Sequence, residues 1–103
     1  AMIPTGLCIA IPPGYAGLVL PRSGLSIALR MTLANTPGLI DGDFRGEIKL
    51  SLMNEGKETF RYVRGDRLAQ LLVVPVARVA WEEVGKLPET ARGTGGWGST
   101  GIS

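Results

Sequence analysis

The stretch GLIDGDFRGEI, residues 38–48, places the carboxylates of Asp41 and Asp43 on either side of Gly42. Gly42 can adopt the positive φ of a tight turn, and apolar and polar residues alternate after it, so the stretch predicts a β-hairpin. A carboxylate at the mouth of such a turn has a fixed backbone and could serve as a general base. The alternative is that both aspartates only stabilise the turn by bonding to its backbone. On this stretch alone the alternative is favoured, because turn aspartates are common.

The end of the chain, GKLPETARGTGGWGSTGIS, holds a second group of residues that could do chemistry. It is rich in glycine and has almost no aliphatic side chains, so it cannot pack as a core strand. One interpretation is a disordered terminus. The other is a segment that closes over a phosphorylated ligand, because glycine-rich turns bind phosphate oxygens, arginine pairs with phosphate and an aromatic ring stacks on a base.

Composition excludes several classes of function. The 103 residues suit one domain, and the absence of histidine removes His-based triads. The single cysteine, Cys8, cannot form an internal disulfide or a credible zinc site, and its apolar neighbours predict burial. The net charge of +2 is far from that of a polybasic nucleic-acid arm. With one cysteine and no internal disulfide, a reducing cytoplasmic setting is expected. No apolar run approaches the roughly 20 residues that span a bilayer, and no signal-peptide pattern is present.

The elements that must position these residues are mostly short strands. Besides the run that enters the predicted hairpin, turn signals separate predicted strands at 1–11, 15–20, 47–53, 59–63, 68–76 and 79–84, with a short extended piece at 32–34. The run at 68–76 is apolar enough to be covered on both faces, with Gln70 as its polar exception. One short helix is predicted at 25–31, with Ser23 as its N-cap. This pattern predicts an all-β sandwich or jelly roll.

Four stretches, in this order, resemble motifs of the trimeric dUTP diphosphatase (dUTPase) family. They are PRSGL at 21–25, GLIDGDFRGEI at 38–48, GDRLAQLL at 65–72 and RGTGGWGSTG at 92–101, which resemble the second to fifth motifs. Together they cover nearly the whole chain. The first motif, Ala-Gly-x-Asp-Leu, is absent from this sequence. The resemblance implies a distorted jelly-roll β-barrel over 1–84, with its N-terminal part missing, and a glycine-rich arm over 85–103.

The resemblance also implies an activity, the hydrolysis of dUTP to dUMP and pyrophosphate. Asp41 matches the general base that deprotonates a water attacking the α-phosphorus. Residues implied to bind the phosphates are Arg22, Ser23, Gly24, Gln70, Arg92, Ser99 and Thr100. Those implied to surround the deoxyuridine, or to lie in the arm that covers it, are Asn35, Gly38, Leu39, Ile40, Phe44, Lys49, Gly96 and Trp97.

The resemblance further implies a cofactor and an assembly. Mg²⁺ is expected to bind through substrate phosphates and waters, with no protein ligands of its own. The expected partners are dUTP and two further copies of the chain, in a homotrimer whose active sites are shared between subunits. No nucleic acid or membrane partner is expected.

Three positions depart from the family pattern. Phe44 stands where most members have tyrosine, and Trp97 replaces the usual phenylalanine over uracil. Arg30 lies where glycine is common, after the predicted helix.

Three other functions compete with a dUTPase. A dCTP deaminase shares the fold but lacks the arm. A dUTPase-like domain could bind or regulate without catalysis. A β-barrel for single-stranded nucleic acid would need a basic groove with clustered aromatic residues, and the aromatic residues here are scattered.

Overall fold

The structure is a computed structural model that describes residues 1–98. Six strands and one helix form, which confirms the all-β fold with one short helix. The elements are β1 (Met2–Pro4), β2 (Tyr15–Pro21), α1 (Ser23–Leu29), β3 (Met31–Leu33), β4 (Gly38–Ile40), β5 (Lys49–Asn54) and β6 (Ala69–Pro75).

The strands pair into two antiparallel three-stranded sheets, in the orders β1-β5-β3 and β4-β2-β6. Central strand β2 fixes the second sheet, since Leu18 lies opposite Leu39 of β4 on one side and Leu72 of β6 on the other. In the first sheet β5 buries alternate residues, Leu50 and Leu52, as the alternation in the sequence predicts. The result is a jelly-roll-like arrangement.

The predicted hairpin between β4 and β5 is wrong. Strand β4 pairs with β2, whereas β5 pairs with β1 and β3, so residues 41–48 cross from one sheet to the other. Gly42 does not adopt a positive φ among the described residues. The turn is instead closed by the Phe44 backbone N–H, which donates to the Asp41 carbonyl at 3.1 Å.

The core consists of two clusters of buried residues, and one partly buried residue packs against both. The larger gathers buried residues of the first sheet and the loop before β6: Ile3, Met31, Leu33, Leu50, Leu52 and Leu68. The smaller comprises Ile11, Ile40 and Ile48. Val19 of β2 packs against both, so the central strand of one sheet connects the two clusters.

Much apolar surface stays open in the single chain. The chain exposes 8751 Å², whereas a compact monomer of this mass exposes about 5,600 Å². Leu71, Leu72 and Val73 of β6 are 45%, 49% and 47% exposed. The expectation that 68–76 is covered on both faces is therefore wrong for this chain alone.

Two predicted strands do not form. Residues 59–63 and 79–84 adopt no strand, and Trp81 of the second segment is 94% exposed. Both segments have the composition of a strand, but within residues 1–98 no neighbouring backbone pairs with them. Strand composition is not sufficient without a partner for the backbone groups.

The helix begins and ends differently from its prediction. It spans Ser23–Leu29, its N-cap is Arg22, and no side chain caps it, so Ser23 is not the N-cap. At its C-terminus Arg30 adopts the left-handed conformation, with φ of 56° and ψ of 35°, and its N–H bonds back to Leu25 and Ser26 carbonyls. This conformation suits glycine.

The N-terminal segment departs from its prediction in two ways. Only Met2–Pro4 of the predicted strand at 1–11 forms a strand, because Pro4 cannot donate to a sheet and Gly6 turns the chain with a φ of 75°. Cys8 is exposed rather than buried. No helix formed by residues 1–98 is both long and apolar enough to cross a membrane.

Candidate functional site

A cleft of about 190 Å³ opens where the two sheets meet. Seven residues predicted for the site line it: Asn35, Gly38, Leu39, Ile40, Asp41, Phe44 and Lys49. Further lining comes from Val19, Leu33, Glu47, Ile48, Leu50 and Ser51. The structure therefore brings together the general-base candidate and the residues expected to surround the nucleoside.

Strand β4 provides one wall of the cleft. Gly38 is buried, and a Cβ there would lie 3.2 Å from the Asn35 carbonyl oxygen and 3.5 Å from Val19 Cβ. Glycine therefore lets the Asn35 loop fold closely against β4 and β2 without a tight contact at this position. Because β4 pairs only with β2 within the described residues, its other edge keeps unpaired N–H and C=O groups.

The loop after β4 holds the candidate base. Besides the Phe44 N–H to Asp41 carbonyl bond, Arg45 Nη1 donates to the Gly42 carbonyl at 2.7 Å and to the Phe44 carbonyl at 3.0 Å. Across residues 1–98, neither the Asp41 nor the Asp43 carboxylate takes part in a hydrogen bond or ion pair. The loop is thus held by backbone groups and Arg45. A purely structural role for the two aspartates finds no support here.

Glu47 lines the cleft but was not among the predicted site residues. Its Oε2 accepts a hydrogen bond from the Gly6 backbone N–H at 2.9 Å. The Ile48 N–H also donates to the Leu7 carbonyl at 2.9 Å, so the N-terminal segment is fastened along this edge of the cleft. The sequence signal that could have identified Glu47 as a cleft residue is its position in the same motif as Asp41.

The residues predicted to bind phosphate lie elsewhere in the chain. Arg22, Ser23, Gly24 and Gln70 do not line the Asp41 cleft. Gln70 is exposed rather than buried, and its Nε2 donates to the Pro21 carbonyl at 2.9 Å, next to Arg22. The second and fourth motifs are therefore joined to each other at one end of the β4-β2-β6 sheet.

The sheet register sets the distance between Asp41 and the residues predicted to bind phosphate near Arg22. Ile40 lies opposite Gly17 and Gln70 opposite Leu20, so Asp41 follows β4 near Ala16 while Arg22 follows the other end of β2. Six residues of strand separate Ala16 from Arg22, a distance of about 20 Å. The Asp41 and Arg22 side chains of one chain are too short to meet across this distance.

The arm does not reach the cleft in the described residues. Gly93 adopts a φ of 61° and its N–H donates to the Thr90 carbonyl at 3.1 Å, while the Gly95 N–H donates to the Arg92 carbonyl at 3.2 Å. Trp97 has a φ of 49° and a fully exposed side chain. Arg92, Gly96 and Trp97 do not line the cleft. The predicted sites Ser99 and Thr100 lie outside the described residues.

The cleft combines complementary chemical groups. Asn35 offers both a donor and an acceptor, Lys49 a cationic donor and Asp41 an acceptor, beside the apolar Leu39 and Phe44. These groups can orient a polar heterocycle and place the Phe44 ring against a sugar. The Asp41 carboxylate remains free to bind a water.

Comparison with known proteins decides the family. The dUTPase family model matches residues 1–101. The deoxyuridine 5'-triphosphate nucleotidohydrolase of Dictyoglomus turgidum is 55% identical over 101 residues, which are 98% of this chain and 69% of the relative. The chain belongs to the dUTPase family. The enzyme of the same name from Rickettsia felis is 50% identical, over 98% of this chain and 68% of its own length.

Solved dUTPase structures share the fold. A mutant dUTPase of Staphylococcus bacteriophage 80alpha, solved with dUpNHpp, superposes with a TM-score of 0.83 at 25% identity, covering 99% of this chain and 76% of the phage protein. A mutant dUTPase from phage phi11 of S. aureus, described with a structural Mg(II) ion, superposes with a TM-score of 0.70 at 25% identity. That match covers 84% of this chain and 72% of the phage protein.

Proposed function

We propose that this dUTPase hydrolyses dUTP to dUMP and pyrophosphate with Asp41 as the general base. The observation that carries the assignment is the Asp41 carboxylate, which has no hydrogen-bond partner within residues 1–98 and lines a cleft with Asn35, Phe44 and Lys49. A carboxylate in this state can accept the proton of a water as that water attacks the α-phosphorus. The bond to the departing pyrophosphate then breaks.

Uracil recognition is assigned to the open edge of β4. Uracil presents two carbonyl acceptors around one N–H donor, and the unpaired backbone groups of Gly38–Ile40 can supply the opposite pattern. The Asn35 side chain supplies a further donor and acceptor. Cytosine reverses part of this pattern and would leave buried groups unpaired, a penalty on the order of 10⁴-fold in kcat/KM.

The sugar is assigned to Phe44. Its ring lines the cleft beside Asp41 and is 42% exposed, so it can lie against a deoxyribose and leave no room for a 2′-hydroxyl. This exclusion is steric and needs no phenolic hydroxyl, which fits phenylalanine at a position where tyrosine is usual.

Mg²⁺ is assigned to the triphosphate rather than to a protein cage. The described residues contain no group of three His, Cys, Asp or Glu side chains able to hold an ion together. Magnesium commonly keeps several waters and binds through substrate phosphates, a mode that this donor set accommodates. When bound, it neutralises phosphate charge, which phosphoryl transfer requires.

The active sites are assigned to a homotrimer that shares them between subunits. Support comes from the separation of about 20 Å between Asp41 and the Arg22 group, which keeps Arg22, Ser23, Gly24 and Gln70 away from the cleft of their own chain. Arg22, Ser23, Gly24 and Gln70 then complete the cleft of a second copy. The arm residues Arg92, Gly96, Trp97, Ser99 and Thr100 close it from a third.

A nucleotide panel tests the activity. The purified protein is incubated with Mg²⁺ and dUTP, dCTP, dTTP or UTP, and pyrophosphate and ammonia are both measured. We expect pyrophosphate release from dUTP at a rate far above that from the other nucleotides. Ammonia from dCTP would indicate a deaminase, and dUTP binding without pyrophosphate release would indicate a non-catalytic domain.

A further inference from the structure

The Phe44 ring occupies the space next to Gly46. A Cβ on Gly46 would lie 2.9 Å from Phe44 Cζ and 3.1 Å from Cε1. Carbon atoms pack favourably at about 3.5–4.0 Å, so both contacts are repulsive. A side chain at position 46 and the observed ring position therefore exclude each other.

The backbone itself permits a side chain there. Gly46 is not among the glycines with positive φ, so alanine meets no backbone strain. The three atoms nearest to a Cβ there all belong to the far end of the Phe44 side chain, which can rotate out of the way. An alanine at this position should leave the fold intact and move the ring.

The direction of that movement follows from two observations. Arg45 holds the loop through the Gly42 and Phe44 carbonyls, at 2.7 and 3.0 Å, so the Phe44 backbone stays in place. Phe44 lines the cleft whereas Gly46 does not, so the ring that fills the space at position 46 also borders the cleft. A ring displaced from Gly46 moves into the cleft.

We propose that Gly46 sets the room available to the sugar, because it provides the space into which the Phe44 ring folds back. Gly46 is thus a positioning residue that acts through Phe44, and this role rests on the proposed assignment of Phe44 to the deoxyribose. Residue 46 then limits substrate binding although it does not touch the substrate.

Four proteins test the proposal in a double-mutant cycle: wild type, Gly46→Ala, Phe44→Ala and the double variant. For each, kcat and KM are measured with dUTP and kcat/KM with UTP. Gly46→Ala should raise the KM for dUTP about tenfold or more with little change in kcat, because room for the bound sugar is lost in ground state and transition state alike. In the Phe44→Ala background the same substitution should leave KM unchanged.

The outcomes separate this proposal from the assignment on which it rests. Phe44→Ala should lower the ratio of kcat/KM for dUTP over UTP about tenfold or more. An unchanged ratio overturns the sugar assignment and this proposal with it. A lowered ratio combined with an unchanged KM in Gly46→Ala, or an equal KM increase in both backgrounds, overturns the role of Gly46 alone.

The Phe44→Ala background is the matched control, since the same Gly46→Ala change is made there without the ring that it is proposed to displace. If Gly46→Ala fails to fold, the double variant decides. A folded double variant assigns the defect to the ring and supports the proposal, whereas an unfolded one shows that Gly46 serves the backbone and overturns it.

Discussion

Asp41 and Asp43 differ by two positions in one loop, and their surroundings separate them. Asp41 lines the cleft and Asp43 does not, although both carboxylates are exposed and neither has a hydrogen-bond partner in residues 1–98. A base must lie within reach of the proton that it removes, so geometry favours Asp41. The sequence presented both residues, and the resemblance to the family selected the one that the cleft contains.

Substitution of each aspartate by asparagine tests this distinction. Asp41→Asn should lower kcat by 10²-fold or more while KM changes little, because the amide keeps the shape but cannot accept the water's proton. Asp43→Asn is the control, with the same change of charge in the same loop, and should keep kcat within about threefold of wild type. Steady-state pyrophosphate release measures both. Substantial turnover by Asp41→Asn together with a loss in Asp43→Asn would transfer the role to Asp43.

Residue burial was the least predictable property at this scale. Cys8 lies between Leu7 and Ile9, yet it is exposed, because Gly6 turns the chain away from β1. Gln70 is exposed too, although its strand is apolar. Neighbours in sequence predict composition, whereas burial depends on which backbone lies opposite.

At the scale of elements, the strands near the cleft were partly predictable. The alternation after Gly46 correctly predicts β5, and the strand predicted at 15–20 forms as β2. The pairing of β4 was not predictable from local sequence. An Asp-Gly-Asp stretch suits a two-residue turn, but β4 finds its partner in β2, some twenty residues earlier in the chain.

The backbone at the C-terminal end of α1 is strained, and a substitution can test this. Arg30 adopts a φ of 56°, which costs a residue with a Cβ about 1–2 kcal/mol. Glycine escapes that cost but loses more entropy on folding, so Arg30→Gly should stabilise the protein by about 0.5–1 kcal/mol. The measurement is the urea midpoint at fixed protein concentration, with an unchanged m-value.

Arg30→Ala is the control for this prediction. It removes the same charge and side chain but keeps a Cβ, so it should give none of the gain. Equal midpoints for the glycine and alanine variants would show that the left-handed conformation stores no strain.

At the scale of the whole molecule, the arm and the barrel differ in composition and in secondary structure. Residues 85–98 contain few aliphatic residues and add no strand, whereas β6 and the segment after it are rich in aliphatic residues. The division into a barrel at 1–84 and an arm at 85–103 stays a prediction. Deletion of residues 92–103 should keep the fold and the trimer, which size-exclusion chromatography checks, while it removes most dUTP hydrolysis.

Subunit exchange tests whether the arm acts on another subunit. The arm deletion retains Asp41, and an Asp41→Asn variant retains the arm, so each alone should be nearly inactive. After exchange, mixed trimers contain sites with Asp41 from one chain and an arm from another, and activity should return. Exchange confirmed by native mass spectrometry without recovery of activity would contradict sharing of the arm.

The separation of Asp41 from Arg22 along β2 has a kinetic consequence for newly made protein. On the proposed assembly a folded single chain has no complete catalytic site, so its capacity to destroy dUTP begins only when chains meet. Formation of a trimer depends on more than the first power of chain concentration. When synthesis is slow, folded single chains therefore accumulate long before dUTP hydrolysis begins. A modest rise in expression then produces a disproportionate rise in dUTP hydrolysis.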